Sequence, residues 1–223
     1  RILSYSLDTY TRNFMLGQEY EDLIVRLRTP RTKTKGMEVA IPGVFAMPGV
    51  RHVFVTYDHV SIRVYIDGVK RQEFLGPGGD LSNWDPSHYL ILGNEVTGYR
   101  PWLGTLSLVA VYNRPLSDDE IRANFRAGES AQPRALVQRG LVALYTFEDG
   151  SGGIVSDRSG LEPPLDLAIV SGLAITRRPF LLLPYRDLRP TWSAVFDIVG
   201  NIALFVPAGT LIGRMSRRRD RVS

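Results

Sequence analysis

The stretch HVFVTYDHVSIRVYIDG, from His52 to Gly68, decides the fold class. It holds two runs, 53–57 and 62–66, in the period-two pattern of strands with one buried face and one wet face. Asp58, His59 and Ser61 lie between them, which predicts a hairpin, and Asp67-Gly68 then supplies a residue suited to positive φ that turns the chain again. Outward from this hairpin the same pattern predicts strands at 2–6, 13–18, 23–27, 37–41, 89–93 and 105–112. In DLIVRLR, Leu23, Val25 and Leu27 share one face, while Ile24, Arg26 and Arg28 share the other, and the arginines read as a solvated sheet face. Eight short strands with Gly, Pro and Asn between them point to an all-β antiparallel sandwich.

One helix is well marked. Ser117 and Glu120 form a capping box, and Asp118 and Asp119 complement the dipole of its first turn. Ile121 and Phe125, four apart, give it an apolar stripe, and Gly128 offers a stop, so a helix is predicted over 118–126.

The runs HVFVTYD and IRVYIDG, then YLILGN, then WLGTLSLVAVYNRPLSDDEI resemble, in order and spacing, the laminin-G-like, concanavalin A-like jelly-roll family over residues 1–128. The resemblance implies a jelly-roll sandwich of lectin-like function. Two departures stand out: the family's opening strands are absent ahead of Arg1, and Ser107 occupies the place of the acidic residue usual in the last strand. After a linker at 129–139, LVALYTFEDGSGGIVSDRSG resembles that missing opening segment, over 140–175. In this family the opening and closing strands are neighbours, and an unpaired edge attracts a strand. The run 141–147 therefore either pairs antiparallel with 105–112 in a permuted closure or begins a second copy.

Composition bounds the chemistry. With 44% apolar and 22% charged residues in 223, the chain reads as globular, one main domain plus a tail. It has no cysteine, which removes disulfides and thiolate chemistry, leaves the redox compartment open and fits a bacterial envelope protein. The net charge of +4 is exceeded by Arg214, Arg217, Arg218, Arg219 and Arg221 alone, so no nucleic-acid partner is implied. The chain begins at Arg1 within a strand pattern, and its native N-terminus is expected to lie upstream.

No catalytic constellation is visible, so a non-enzyme is expected. Glu19, Glu21 and Asp22 fall at a hairpin tip, where they read as a solvated turn rather than the paired carboxylates of a glycosidase. His52, His59 and His88 lack the spacing of a zinc site, and Gly76 to Asp80 is a glycine-rich loop with no helix behind it. A lectin-like surface remains. Asp80, Asn83, Trp84 and Asp85 form one candidate group, and Tyr99 with Trp102 another, because sugars are held by aromatic faces beside carboxylates and amides. Trp84 and Trp102 each have a strong competing reading as anchors packed under the sheet rim. No cofactor is implied, although Asp80, Asp85 and Asn94 supply the oxygens calcium prefers, in a spacing that matches no calcium loop.

The tail carries a different message. Residues 192–213 are long enough at 1.5 Å per residue to cross a hydrocarbon layer of ~30 Å, and Arg217 to Arg219 read as a positive-inside stop. One helix is expected over 191–215, with the lipid bilayer as partner, the sandwich on the extracytoplasmic side and the arginines cytoplasmic. Asp197, Asn201 and Pro207 are its polar and kinking positions. Together with Phe205 and Gly209 they resemble the VanZ-like family of bacterial membrane proteins over about 30 residues of 176–223, which implies an envelope role linked to glycopeptide resistance. The expected function is a noncatalytic lectin-like domain binding glycan or another envelope component. A structural adaptor attached to a membrane domain is the alternative, and a glycan hydrolase the third reading.

Overall fold

The structure, a computed structural model, describes residues 1–129, 133–149 and 152–169. The expected membrane helix at 191–215 and the VanZ-like segment lie outside the described residues. Among the described residues no helix is long and apolar enough to cross a membrane.

In chain order the strands are β1 (Leu3–Ser6), β2 (Arg12–Glu19), β3 (Asp22–Leu27), β4 (Met37–Ile41), β5 (Val53–Tyr57), β6 (Ser61–Ile66), β7 (Val69–Leu75), β8 (Tyr89–Leu92) and β9 (Val109–Tyr112). The helix α1 (Asp118–Glu129) follows, then β10 (Leu141–Tyr145), β11 (Ile154–Val155) and β12 (Leu167–Ala168). A five-stranded antiparallel sheet has the order β4-β3-β2-β1-β8, and a three-stranded sheet the order β5-β6-β7. Leu23, Val25, Leu27, Val39 and Ile41 of the first sheet meet Ile62 and Val64 of the second in one buried cluster, so the two sheets form an all-β sandwich. Burial of such side chains, at about 1.5–3 kcal/mol each, is the main force closing it.

The hairpin of residues 52–68 forms as its pattern dictates. Val55 lies opposite Val64 and Tyr57 opposite Ile62, and the turn into β7 uses Asp67 and Gly68, both at positive φ. A Cβ at Gly68 would sit 2.9 Å from the Phe125 ring, so the glycine also lets α1 approach the turn. The strand β7 lay outside the pattern because VKRQEFL is polar: it is an edge strand with most of its residues exposed.

The helix covers the outer side of the three-stranded sheet. Tyr65 and Ile121 are buried together, and the Tyr65 hydroxyl donates to Asp118 Oδ1 at 2.7 Å. The capping box is present: Ser117 N donates to Glu120 Oε2 at 2.8 Å, and Glu120 N donates to Ser117 Oγ at 3.3 Å. The helix runs past the expected stop at Gly128 to Glu129.

Arg114 and the Ser117 amide hold the Glu120 carboxyl at about 2, below its ordinary 4.5. A depressed carboxyl stabilises the fold above its unfolded pKa, and that contribution fades as pH falls from about 4.5 toward 2. Thermal melts should therefore show Glu120→Gln less stable than the wild type at neutral pH, with the gap closing across that window. A gap independent of pH would contradict this.

The strand β10 pairs antiparallel with β9, with Tyr145 opposite Val109 and Leu141 opposite Tyr112, as expected for 141–147. Leu141 and Leu144 pack with Leu136 and Ala127 of α1. The partner strand is shorter than the expected 105–112. Ahead of it the Trp102 ring lies so close to Gly104 that an added Cβ would come within 2.3 Å, and Ser107 is exposed outside the ladder.

One expectation about faces is corrected. Arg26 and Arg28 are expected on a solvated sheet face, yet Ser4, Met15 and Ile24 are buried on the face that Arg26 occupies. Arg28 is no surface side chain either: its Nη2 donates to Asn13 Oδ1 at 2.7 Å and to Asn83 O.

Candidate functional site

The strand β8 splits the expected site residues. Its first residue, Tyr89, lies opposite Ser6 and its last, Leu92, opposite Leu3, so it carries the chain from one end of the sheet to the other. Asp80, Asn83, Trp84 and Asp85 precede it; Tyr99 and Trp102 follow it. The two groups are tied to Asn13 and Gln18, five residues apart on β2 or about 17 Å along the strand.

At the first end, a bulge in the β1–β2 pairing places Asn13 as a fully buried pin. Its Oδ1 accepts from Asp85 N at 3.0 Å and its Nδ2 donates to Asp85 O at 2.8 Å, which fixes the loop 83–88. Trp84 is an anchor in this loop. Its ring stacks on Phe14 with centroids 5.6 Å apart, Tyr5 meets it edge-on, and its Nε1 donates to Arg28 O at 2.8 Å. The two carboxylates serve local turns. Asp80 Oδ1 accepts the Ser82 hydroxyl at 2.6 Å and Asp85 Oδ1 the Ser87 hydroxyl at 2.7 Å, and these bonds lower both pKa values.

Asn94 lies beyond β8 and is not gathered with Asp80 and Asp85. Its Oδ1 accepts from Glu95 N and Arg100 N, and its Nδ2 donates to Gly98 O, so the side chain shapes the loop 94–100. Among the described residues no group of three or more His, Asp or Glu is placed to hold a metal ion. Glu19 and Glu21 are exposed at the β2–β3 turn, and Asp22 Oδ1 accepts from Gly43 N at 2.9 Å.

The second end carries exposed aromatic surface. Trp102 Nε1 donates to Gln18 Oε1 at 2.9 Å, and Gln18 Nε2 donates to Tyr20 O at 2.8 Å, so one amide orients the indole against the β2–β3 turn. Tyr20, at positive φ, is 91% exposed, and Tyr99 on the loop of Trp102 is 66% exposed. Tyr20 is not among the expected site residues, because the carboxylates Glu19, Glu21 and Asp22 around it mark the segment as a solvated turn. Its signal was an aromatic residue inside a polar hairpin tip.

Residues 12–122 match a laminin-G-type family of the concanavalin A-like lectin/glucanases superfamily. No curated protein matches the chain. Solved structures that are similar in part include the following two. One, from Bacteroides ovatus, carries the name of a candidate carbohydrate-binding protein; it is 18% identical over 78% of this chain and 52% of its own, with a TM-score of 0.47. The other is an S-layer domain-containing protein from Clostridium thermocellum, 16% identical over 52% of this chain and 56% of its own, with a TM-score of 0.31. The chain thus spans about half the length of each structure. The sandwich and the family match agree: residues 12–122 carry a laminin-G-like, concanavalin A-like jelly-roll domain.

Proposed function

We propose that this domain is a noncatalytic, lectin-like module that binds glycan across the rim formed by Tyr20, Gln18, Tyr99 and Trp102. The observation that carries the reading is the Trp102 indole, fixed by Gln18 next to a nearly fully exposed tyrosine. Aromatic faces held in place beside amides suit the apolar faces and hydroxyls of sugar rings, and they lose little side-chain entropy on binding. The superfamily of residues 12–122, which includes lectins by name, supports the same reading. The loop 80–85 is given a structural part, because Trp84 is packed and Asp80 and Asp85 are engaged in turns.

A glycan array followed by titration of the best ligand tests this. Truncating an aromatic hot spot costs about 2 kcal/mol or more, so Trp102→Ala should weaken binding about 30-fold with little change in folding. Unchanged affinity in that variant would remove the rim from the reading.

The proposed setting is the outer side of a bacterial membrane, with the tail as anchor. This rests on the apolar run 192–213 and on Arg217 to Arg219. The full chain should then sediment with membranes through a carbonate wash, and a chain ending at residue 189 should not. A full chain that stays in the supernatant without detergent would end the anchor reading.

A further inference from the structure

Arg12 is the side chain that the fold leaves without an account. It is 4% exposed at the start of β2, its Nε has no hydrogen-bond partner, and among the described residues its guanidinium makes no side-chain hydrogen bond or ion pair. A buried charge without a partner is costly, and proteins tolerate it where a counter-charge completes the site. Its surroundings make the imbalance larger. Register places Arg12 on the non-core face of the five-stranded sheet with Ser6, Ser4 and Arg26, and Arg26, Arg1 and Arg100 all repel its charge. Burial above all, then Arg26 and Arg1, holds the Arg12 guanidinium down to about 10 against a smaller, longer-range attraction from Glu95, and it is still fully charged at neutral pH.

The carboxylates near this face are few and taken. Glu95 is buried and serves two arginines, with Arg100 Nε at 3.3 Å and Arg1 Nε at 3.6 Å, while Glu38 pairs with Arg26. Glu19 and Asp22 stand apart at the turn end. Four guanidinium groups therefore face two paired carboxylates. Beside Arg26 an open cleft of about 570 Å³ is lined by residues 32–37, including Lys33 and Lys35, and Arg12 N donates to Thr34 O at 3.2 Å on its wall. Aromatic platforms flank the row: Tyr89, exposed on the same face opposite Ser6, and Tyr10, over whose ring Lys35 Nζ sits at 4.5 Å.

We propose that this face binds the ring-borne oxyanions of an acidic glycan, with one carboxylate or sulfate seated against Arg12 and further ones along Arg26, Lys33 and Lys35. The proposal rests on the reading that the domain binds glycan and adds the chemical class. Guanidinium groups suit these oxyanions because their planar donors bind carboxylate and sulfate oxygens in pairs, and interleaved aromatic rings suit the sugar faces between them.

Isothermal titration of the full chain with polygalacturonate, dextran sulfate and neutral dextran of matched length tests it. The acidic polymers should bind at least about ten-fold more tightly than dextran, more weakly as salt rises. The tighter of the two names the oxyanion: uronate if polygalacturonate, sulfate if dextran sulfate. Arg12→Gln should reduce acidic binding about ten-fold or more, as loss of a charge-assisted hydrogen bond does. The double variant Lys33→Gln/Lys35→Gln alters only exposed side chains and should weaken it similarly, which covers the case that Arg12→Gln folds poorly. Equal affinity for dextran and the acidic polymers, or acidic binding unchanged in both variants, overturns the proposal while leaving the aromatic rim standing. If no polymer binds, the glycan reading fails with it. The anion site is then judged alone by inorganic sulfate, which must raise the melting temperature of the wild type more than that of Arg12→Gln.

Discussion

Trp84→Ala is expected to destabilise the domain by about 3–5 kcal/mol, the usual cost of deleting a packed aromatic side chain. The indole fills the space between Phe14 and Tyr5 at the edge of the main core, and its loss also leaves Arg28 O without its donor. Against a total stability of about 5–15 kcal/mol for a domain, this is a large fraction, visible in urea unfolding as a lower midpoint with little change in slope. The molecules that remain folded should bind glycan as the wild type does. A Trp84→Ala protein of normal stability that has lost glycan binding would instead make Trp84 a ligand platform.

Asn13→Ala is expected to cost about 3 kcal/mol and to loosen the loop 83–88. Three partners lose a hydrogen bond at once: the Arg28 guanidinium at 2.7 Å, the Asp85 amide at 3.0 Å and the Asp85 carbonyl at 2.8 Å. Each buried group left unsatisfied costs about 1–3 kcal/mol, and the Arg28 guanidinium keeps its bond to Asn83 O, which sets the lower part of the range. Amide exchange should accelerate across 83–88 while the β5–β6 hairpin stays protected. Asn13→Asp keeps the oxygen that accepts from Arg28 and from Asp85 N and adds attraction to Arg28, but it loses the donor to Asp85 O, so it should recover only part of the loss. Equal exchange in the wild type and Asn13→Ala would show that the loop is held by something else.

The strands of the hairpin at residues 52–68 and of β3 and β4 were legible because their buried faces repeat every second residue. The capping box at Ser117 and Glu120 was legible because its chemistry is local. The antiparallel pairing of β10 with β9 followed from the order of strands that the family resemblance supplied. What failed to show depends on contacts distant in sequence. Arg28 and Asn13 read as ordinary polar strand residues, yet a bulge and a loop more than fifty residues away turn them into a clamp. Arg12 falls one residue ahead of the strand expected at 13–18, yet it opens β2 and is buried. The candidate ligand residues were grouped by nearness along the chain, and the four-residue strand β8 carries them to opposite ends of the sheet. Tyr20 and Gln18 join Trp102 only through the side-chain bonds that the fold creates.

The central claim, that glycan meets the Trp102 rim and not the loop of Trp84, is tested most directly by the indole N–H resonances in proton–nitrogen spectra. The chain has 3 tryptophans, so these signals are few and assignable by single substitution. On titration with the glycan that binds best, the Trp102 resonance should move progressively to saturation, because its Nε1 bond to Gln18 lies at the proposed contact. The Trp84 resonance, bonded to Arg28 O inside the sandwich, should stay in place. A saturable shift at Trp84 with Trp102 unmoved would contradict the account.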